Sequence, residues 1–130
     1  MRTVCAFADW APGDLSIGEI SFAMAIAYDW LYYDLPLDLR TLARQSMSNK
    51  GVRPMYNKSY AATFGNWNSV CLGGCACASL AIYEKDKDAA VKQLEKAVAE
   101  NRGAVEAVYQ PHGNYLEGLG YWEYGSSYQA

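Results

Sequence analysis

The sequence predicts an all-α protein built of antiparallel helical hairpins. Three observations carry that expectation. From Gly65 to Tyr83 no side chain is charged, and the polar ones are mostly small; a helix that is apolar on every side is a buried helix. Apolar residues recur at helical spacing in Ile17, Ile20, Met24, Ala27 and Leu31, and again in Val91, Leu94, Val98, Val105 and Val108. The turn between the first of these helices and the one expected from Pro36 is short, which makes those two antiparallel neighbours. A chain of 130 residues with 52% hydrophobic side chains is enough for one small packed domain and argues against disorder.

Taken in order, the chain opens with Asp9-Trp10-Ala11-Pro12-Gly13-Asp14, where Pro and Gly mark a loop. Ser16 followed by Glu19 fits a capping box, so a first long helix is expected from Ser16 to Tyr33. Pro36 suits a first helical turn, and Leu39, Leu42, Ala43 and Met47 form a shorter stripe to Met47. Arg40 and Arg44, one turn apart, read as a solvated face. Between Asn49 and Gly65 the periodicity dissolves, while Met55, Tyr56, Tyr60 and Phe64 are interleaved with loop residues. A patternless stretch of that length is usually functional, and it is expected to be a binding loop leading into the central helix. That helix, expected from Ser69 to Tyr83, carries small residues at Gly73, Gly74, Ala76 and Ala78, so neighbouring backbones can approach it closely; Asn66 or Asn68 is its expected N-cap. Asp86 or Asp88 begins an amphipathic helix to Tyr109, with Lys87, Lys92, Glu95, Lys96, Glu100 and Arg102 on its outer face. Pro111-His112-Gly113-Asn114 is a turn. The glycines of the Tyr115–Gly125 stretch argue against a regular helix there, leaving an aromatic loop.

Composition narrows the functional classes. The formal net charge is -3, from 11 basic and 14 acidic residues, and no basic cluster stands out, so no nucleic-acid partner is expected. No run is long and apolar enough to span a membrane, and Met1–Trp10 does not read as a signal peptide. The four cysteines, Cys5, Cys71, Cys75 and Cys77, lack the second Cys or His pair of a zinc site; they read as buried thiols acting as small hydrophobes. No metal or cofactor is expected. The 11 Tyr and 4 Trp are the unusual count, and many fall in expected loops, a distribution suited either to carbohydrate binding or to helix packing.

Four motifs carry a resemblance. Phe7-Ala8-Asp9-Trp10, Ala27-Tyr28-Asp29-Trp30-Leu31-Tyr32, Asn66-Trp67-Asn68-Ser69-Val70-Cys71-Leu72-Gly73-Gly74 and Tyr115-Leu116-Glu117-Gly118-Leu119-Gly120-Tyr121-Trp122-Glu123-Tyr124-Gly125 occur in this order. Together they resemble the heparinase II/III-like polysaccharide lyases, across nearly the whole chain. The resemblance implies an incomplete (α/α) toroid of helical hairpins, of which about two hairpins are present here without the β-sandwich that follows in the family. A fragment of a larger, periplasmic or secreted enzyme is therefore expected, with apolar hairpin faces that drive self-association.

The resemblance further implies a carbon–oxygen lyase that acts by β-elimination on a uronate-containing polysaccharide. That chemistry needs donors to neutralise the uronate carboxylate, a base for the C5 proton and an acid for the leaving oxygen. By the motifs, Asn66 and Asn68 match the carboxylate-binding region, and Tyr121 matches the acid–base tyrosine. Where the better-known lyases place a histidine beside the asparagine, this chain has Trp67, and His112 is its one histidine. Trp67, Tyr115, Glu117, Trp122 and His112 complete the expected substrate-binding set, with an acidic polysaccharide or oligosaccharide as partner. A noncatalytic helical module that binds carbohydrate or protein through its aromatic residues is the competing expectation.

Overall fold

The structure is a computed structural model that describes residues 1–11, 13–60, 65–109 and 112–129. Pro12, Phe64 and Pro111 lie outside the described residues. Among those described, every regular element is helical: α1 (Arg2–Ala6), α2 (Asp14–Trp30), α3 (Leu37–Ser46), a π-helical segment (Met47–Val52), α4 (Arg53–Met55), α5 (Asn66–Ile82), α6 (Lys87–Val108) and α7 (Leu119–Ser127). None of these helices is long and apolar enough to cross a membrane.

Helix α5 is the centre, as its uncharged sequence requires. Val70, Cys71, Leu72, Cys75, Ala78 and Ile82 are buried along it. It packs chiefly on α2, and the contact is backbone to backbone. A Cβ on Gly18 would stand 2.5 Å from the Val70 carbonyl oxygen, and one on Gly74 would press still harder on the Gly18 carbonyl. Two glycines thus let two helices approach with no side chain between them. Glycine in a helix costs about 1 kcal/mol relative to alanine, and here the close packing offsets it.

Two antiparallel hairpins surround that contact. Arg40 on α3 lies over the ring of Tyr32, just beyond α2, with its guanidinium carbon 4.9 Å from the ring centroid. Further along the same helical run, Gly51 meets Ser21 and Trp10. The α2–α3 pair is therefore antiparallel. In the second hairpin, Asn68 near the start of α5 donates to the Glu100 carbonyl far along α6. Helices α2 and α5 run in the same direction, since Gly18 meets Val70 and Ser21 meets Cys75.

Several expectations need correction. Helix α3 ends at Ser46, close to the expected Met47, but the chain stays helical through the π-segment and α4 to Met55, inside the stretch expected to be a loop. Its polar sequence hides a buried face of Met47, Gly51, Val52 and Met55. The extra residue per turn in a π-segment shifts the apolar face, which is why α-helical spacing does not reveal it. Helix α2 begins at Asp14 with Gly13 as N-cap, so Ser16 lies inside the first turn and makes no capping box. The N-cap of α5 is Gly65, neither Asn66 nor Asn68. The Tyr115–Gly125 stretch contains α7, whose Gly120 and Gly125 are tolerated within it. On α6 the buried stripe is Ala90, Gln93, Ala97, Ala104 and Val108, while Val98 is 74% exposed; alanine lets α6 sit close to α5, where valine would hold it away. Arg40 is half-buried against Tyr32 and does not belong to a freely solvated face.

The thiols follow expectation. All four cysteines are free, and Cys5, Cys71 and Cys75 are buried. Burial pushes the Cys71 thiol up to about 11 and the Cys75 thiol up to about 12, so neither is a nucleophile near neutral pH.

Candidate functional site

The head of α5 is where the expected site residues gather. A helix start leaves backbone N–H groups without intrahelical partners and carries partial positive charge. Here a carboxylate from another segment satisfies it. The Asn66 N–H donates to Glu117 Oε2 at 2.6 Å, and Asn66 Nδ2 donates to Oε1 at 3.0 Å and to Oε2 at 2.9 Å. Gly65 makes the approach possible. Its φ is +145°, a backbone region that L side chains rarely adopt, and a Cβ there would stand 2.6 Å from Glu117 Oε2.

Asn68 faces elsewhere. It is buried, and its Nδ2 donates to the Tyr60 carbonyl at 2.8 Å and the Glu100 carbonyl at 3.3 Å. It ties the Tyr60 strand of chain to α6. Tyr60 in turn donates its hydroxyl to Asp14 Oδ2 at 2.6 Å, and its N–H to Glu100 Oε2 at 2.8 Å. Burial pushes the Tyr60 phenol up, and the Asp14 bond adds to that. Trp67, between the two asparagines, is exposed.

Helix α7 crosses the head of α5. A Cβ on Gly125 would collide with the Tyr115 hydroxyl and stand 3.6 Å from Asn66 Cα, so this glycine seats α7 there. The far end of α7 closes on the same helix: Gln129 Nε2 donates to Ser69 Oγ at 2.6 Å and to Asn101 Oδ1 at 2.8 Å, and Asn101 Nδ2 returns a bond to Gln129 Oε1 at 2.6 Å. Gly125 meets Asn66 while Tyr128 meets Gly73, so the C-terminal end of α7 reaches further down α5. Tyr121 lies one turn before Gly125 on α7. It is 52% exposed and touches Tyr124 edge-on, with ring centroids 6.5 Å apart.

Beside this junction is an open groove of about 380 Å³ lined by Gly113, Asn114, Tyr115, Gly118, Leu119 and Trp122. Tyr115 is buried and meets Tyr109 edge-on at 5.4 Å. Its phenol is pushed up to about 12, by burial first and then by the Glu117 charge. Its hydroxyl has no hydrogen-bond partner among the described residues. Trp122 is 42% exposed and presents part of its ring to solvent. The turn into the groove uses left-handed backbone at His112, Gly113 and Gly118. His112 itself is exposed and lies outside the groove lining.

The structure thus brings Asn66, Glu117, Tyr115 and Trp122 together near the head of α5, turns Asn68 into the interior, and leaves Tyr121 exposed on α7 against Tyr124. Sequence reasoning missed two residues that set this geometry. Tyr124 donates to Glu19 Oε1 at 2.5 Å, tying α7 to α2 across 105 positions of sequence, a separation at which spacing carries no signal. Gly125 was legible only as a glycine after aromatics. Among the described residues, no group of three or more His, Cys, Asp or Glu is arranged to hold a metal ion. No protein-family model and no curated protein matches this chain.

Proposed function

We propose that this chain is part of the helical domain of a polysaccharide lyase that acts by β-elimination on a uronate-containing polysaccharide, and that it contributes a sugar-binding groove at the head of α5. The observation that carries this reading is the aromatic groove between Tyr115 and Trp122, open to solvent. Ligand grooves combine apolar rings with a few polar groups, and a sugar offers both: its C–H face packs on an aromatic ring while its hydroxyls meet groups such as the Asn114 amide. Two antiparallel hairpins side by side, with α2 and α5 parallel, are compatible with part of an incomplete (α/α) toroid. Trp30 and Tyr33, in or just beyond α2, and Leu80, on α5, are strongly exposed. Neighbouring hairpins of a larger domain would cover them, and the isolated chain self-associates through them. Sedimentation showing a monomer at high concentration would oppose that part of the reading.

Tyr121 is the acid–base candidate. Its hydroxyl makes no hydrogen bond to another described residue, so it is free to meet substrate. The test is release of unsaturated, ultraviolet-absorbing sugar ends by the parent enzyme. Tyr121→Phe is expected to abolish that release with no loss of melting temperature, since only a free hydroxyl is removed. Full activity in the variant would exclude the role. A specific observation favours the competing reading of a noncatalytic carbohydrate-binding module: Glu117 already holds the Asn66 donors that would neutralise a substrate carboxylate. Glycan binding without product release by the parent enzyme would select it.

A further inference from the structure

We infer that the Tyr115–Trp122 groove takes an uncharged sugar residue and discriminates against a uronate, so that on a uronate-containing chain it would hold the neutral neighbour of the acidic residue. The inference rests on the carbohydrate reading above and names which sugar of that ligand the groove accepts. Three observations carry it. The groove lining contains two aromatic rings, an amide, a leucine and glycine backbone, and no cationic side chain. From Gly103 to Ala130 the sequence has no Lys or Arg, while Glu106, Glu117 and Glu123 all fall in that stretch. The one anion position built at this end, the head of α5, is occupied by Glu117 through three hydrogen bonds.

Three basic residues of the surrounding elements are paired with carboxylates, and Lys87 and Lys92 of α6 lie over the Tyr83 and Tyr56 rings. Lys58 bonds Asp14, Lys96 bonds Glu100, and Arg102 pairs with Glu106 on the outer face of α6. Glu19, on the α2 side, accepts from Tyr124 and adds a further negative charge. His112, the one histidine, is exposed and outside the lining. A carboxylate entering the groove would lose water and stand near Glu117, whose charge already acts on Tyr115, with no cation in the lining to meet it, which is unfavourable. A neutral ring would lose only hydroxyl hydration, replaced by the Asn114 amide and backbone groups, and would gain contact with the Trp122 ring.

The experiment is calorimetric titration of the full chain with neutral glucose or N-acetylglucosamine tetramers and with uronate tetramers, at low salt and at high salt. Neutral tetramers are expected to bind roughly tenfold tighter at low salt, with the gap narrowing at high salt as like-charge repulsion is screened. Trp122→Ala should weaken neutral binding roughly tenfold, the scale of losing an aromatic platform in a ligand contact. Leu119→Lys, at an 81% exposed groove position, tests the electrostatics without touching the core: it should raise uronate affinity and leave melting unchanged. Uronates binding as tightly as neutral tetramers, with sensitivity to Trp122→Ala, would overturn the inference and leave the carbohydrate reading standing. Uronate affinity unmoved by Leu119→Lys would also overturn it. Binding of neither class would overturn the carbohydrate reading itself.

Discussion

Glu117 caps a helix that begins 51 residues earlier, by accepting hydrogen bonds from both the backbone and the side chain of Asn66. The cap is long-range, so it couples the α7 loop to the central helix: α5 is satisfied only when the loop has docked. Glu117→Gln keeps the shape but loses the charge facing the helix start, and it is expected to cost about 1–2 kcal/mol, the range of a lost helix cap. Chemical denaturation measures it. A variant as stable as the parent chain would show that water replaces the carboxylate at no cost.

The contact of α2 with α5 has no slack. A Cβ on Gly74 would overlap the Gly18 carbonyl, and backbone cannot swing aside as a side chain can. Gly74→Ala is expected to destabilise by at least about 2 kcal/mol, at the upper part of the overpacking range. Gly103 is the control. It lies inside α6, and a Cβ there would meet nothing within 4 Å. Gly103→Ala should therefore stabilise by about 0.5–1 kcal/mol through better helix propensity and a less flexible unfolded chain. Thermal melts of the two variants should move in opposite directions.

How much of this could be read from residues alone follows from which forces are local. The uncharged run of α5 and the apolar periodicity of α2 identified both helices, because burial of a whole helix leaves its mark in every residue. The head of α5 was legible as an asparagine pair at a helix start, but the carboxylate that fills it comes from Glu117, and nothing in spacing links the two. The helical turns from Met47 to Met55 were illegible because a π-segment breaks the 3.6-residue period on which the reading depends. Helix α7 was hidden by its glycines, whose propensity cost is outweighed by the contacts of Gly125 with Tyr115 and Asn66. On α6, valines suggested a stripe that alanines and Gln93 in fact occupy, since close helix approach selects small side chains over the most apolar ones.

Thiol reactivity separates the cysteines. Burial raises the thiols of Cys71, Cys75 and Cys77 alike, but Cys71 and Cys75 are buried whereas Cys77 is half-buried and so within reach of solvent. Alkylation of the native protein near neutral pH is expected to modify Cys77 first, with Cys71 and Cys75 reacting only as the protein unfolds. Mass mapping of the modified peptide reads the order. Early labelling of Cys75 would contradict the burial of α5.

Acid should loosen the junction between the π-segment and α6. Asp86 accepts from the Ser48 hydroxyl at 2.5 Å and from Arg53 at 2.9 and 3.0 Å. The Ser48 bond, then the Arg53 guanidinium, hold its carboxyl below the usual aspartate value in spite of partial burial. Asp14 and Glu100 are also held low: each is opposed by burial but overcome by its partners, Lys58 and Tyr60 for Asp14, Lys96 and the Tyr60 N–H for Glu100. The sign follows from linkage. A carboxyl with a lowered folded value binds fewer protons folded than unfolded, so the folded state gains stability above the ordinary value of about 4 and loses it as pH falls through the lower folded value. Stability is thus expected to be flat near neutral pH and to fall once the pH drops through the ordinary carboxyl range and below it. Asp86→Asn should flatten part of that fall while lowering stability at pH 7, because the neutral amide cannot hold both Ser48 and Arg53 as the carboxylate does. An unchanged acid profile in that variant would show that the Asp86 pair contributes nothing, as many exposed ion pairs do.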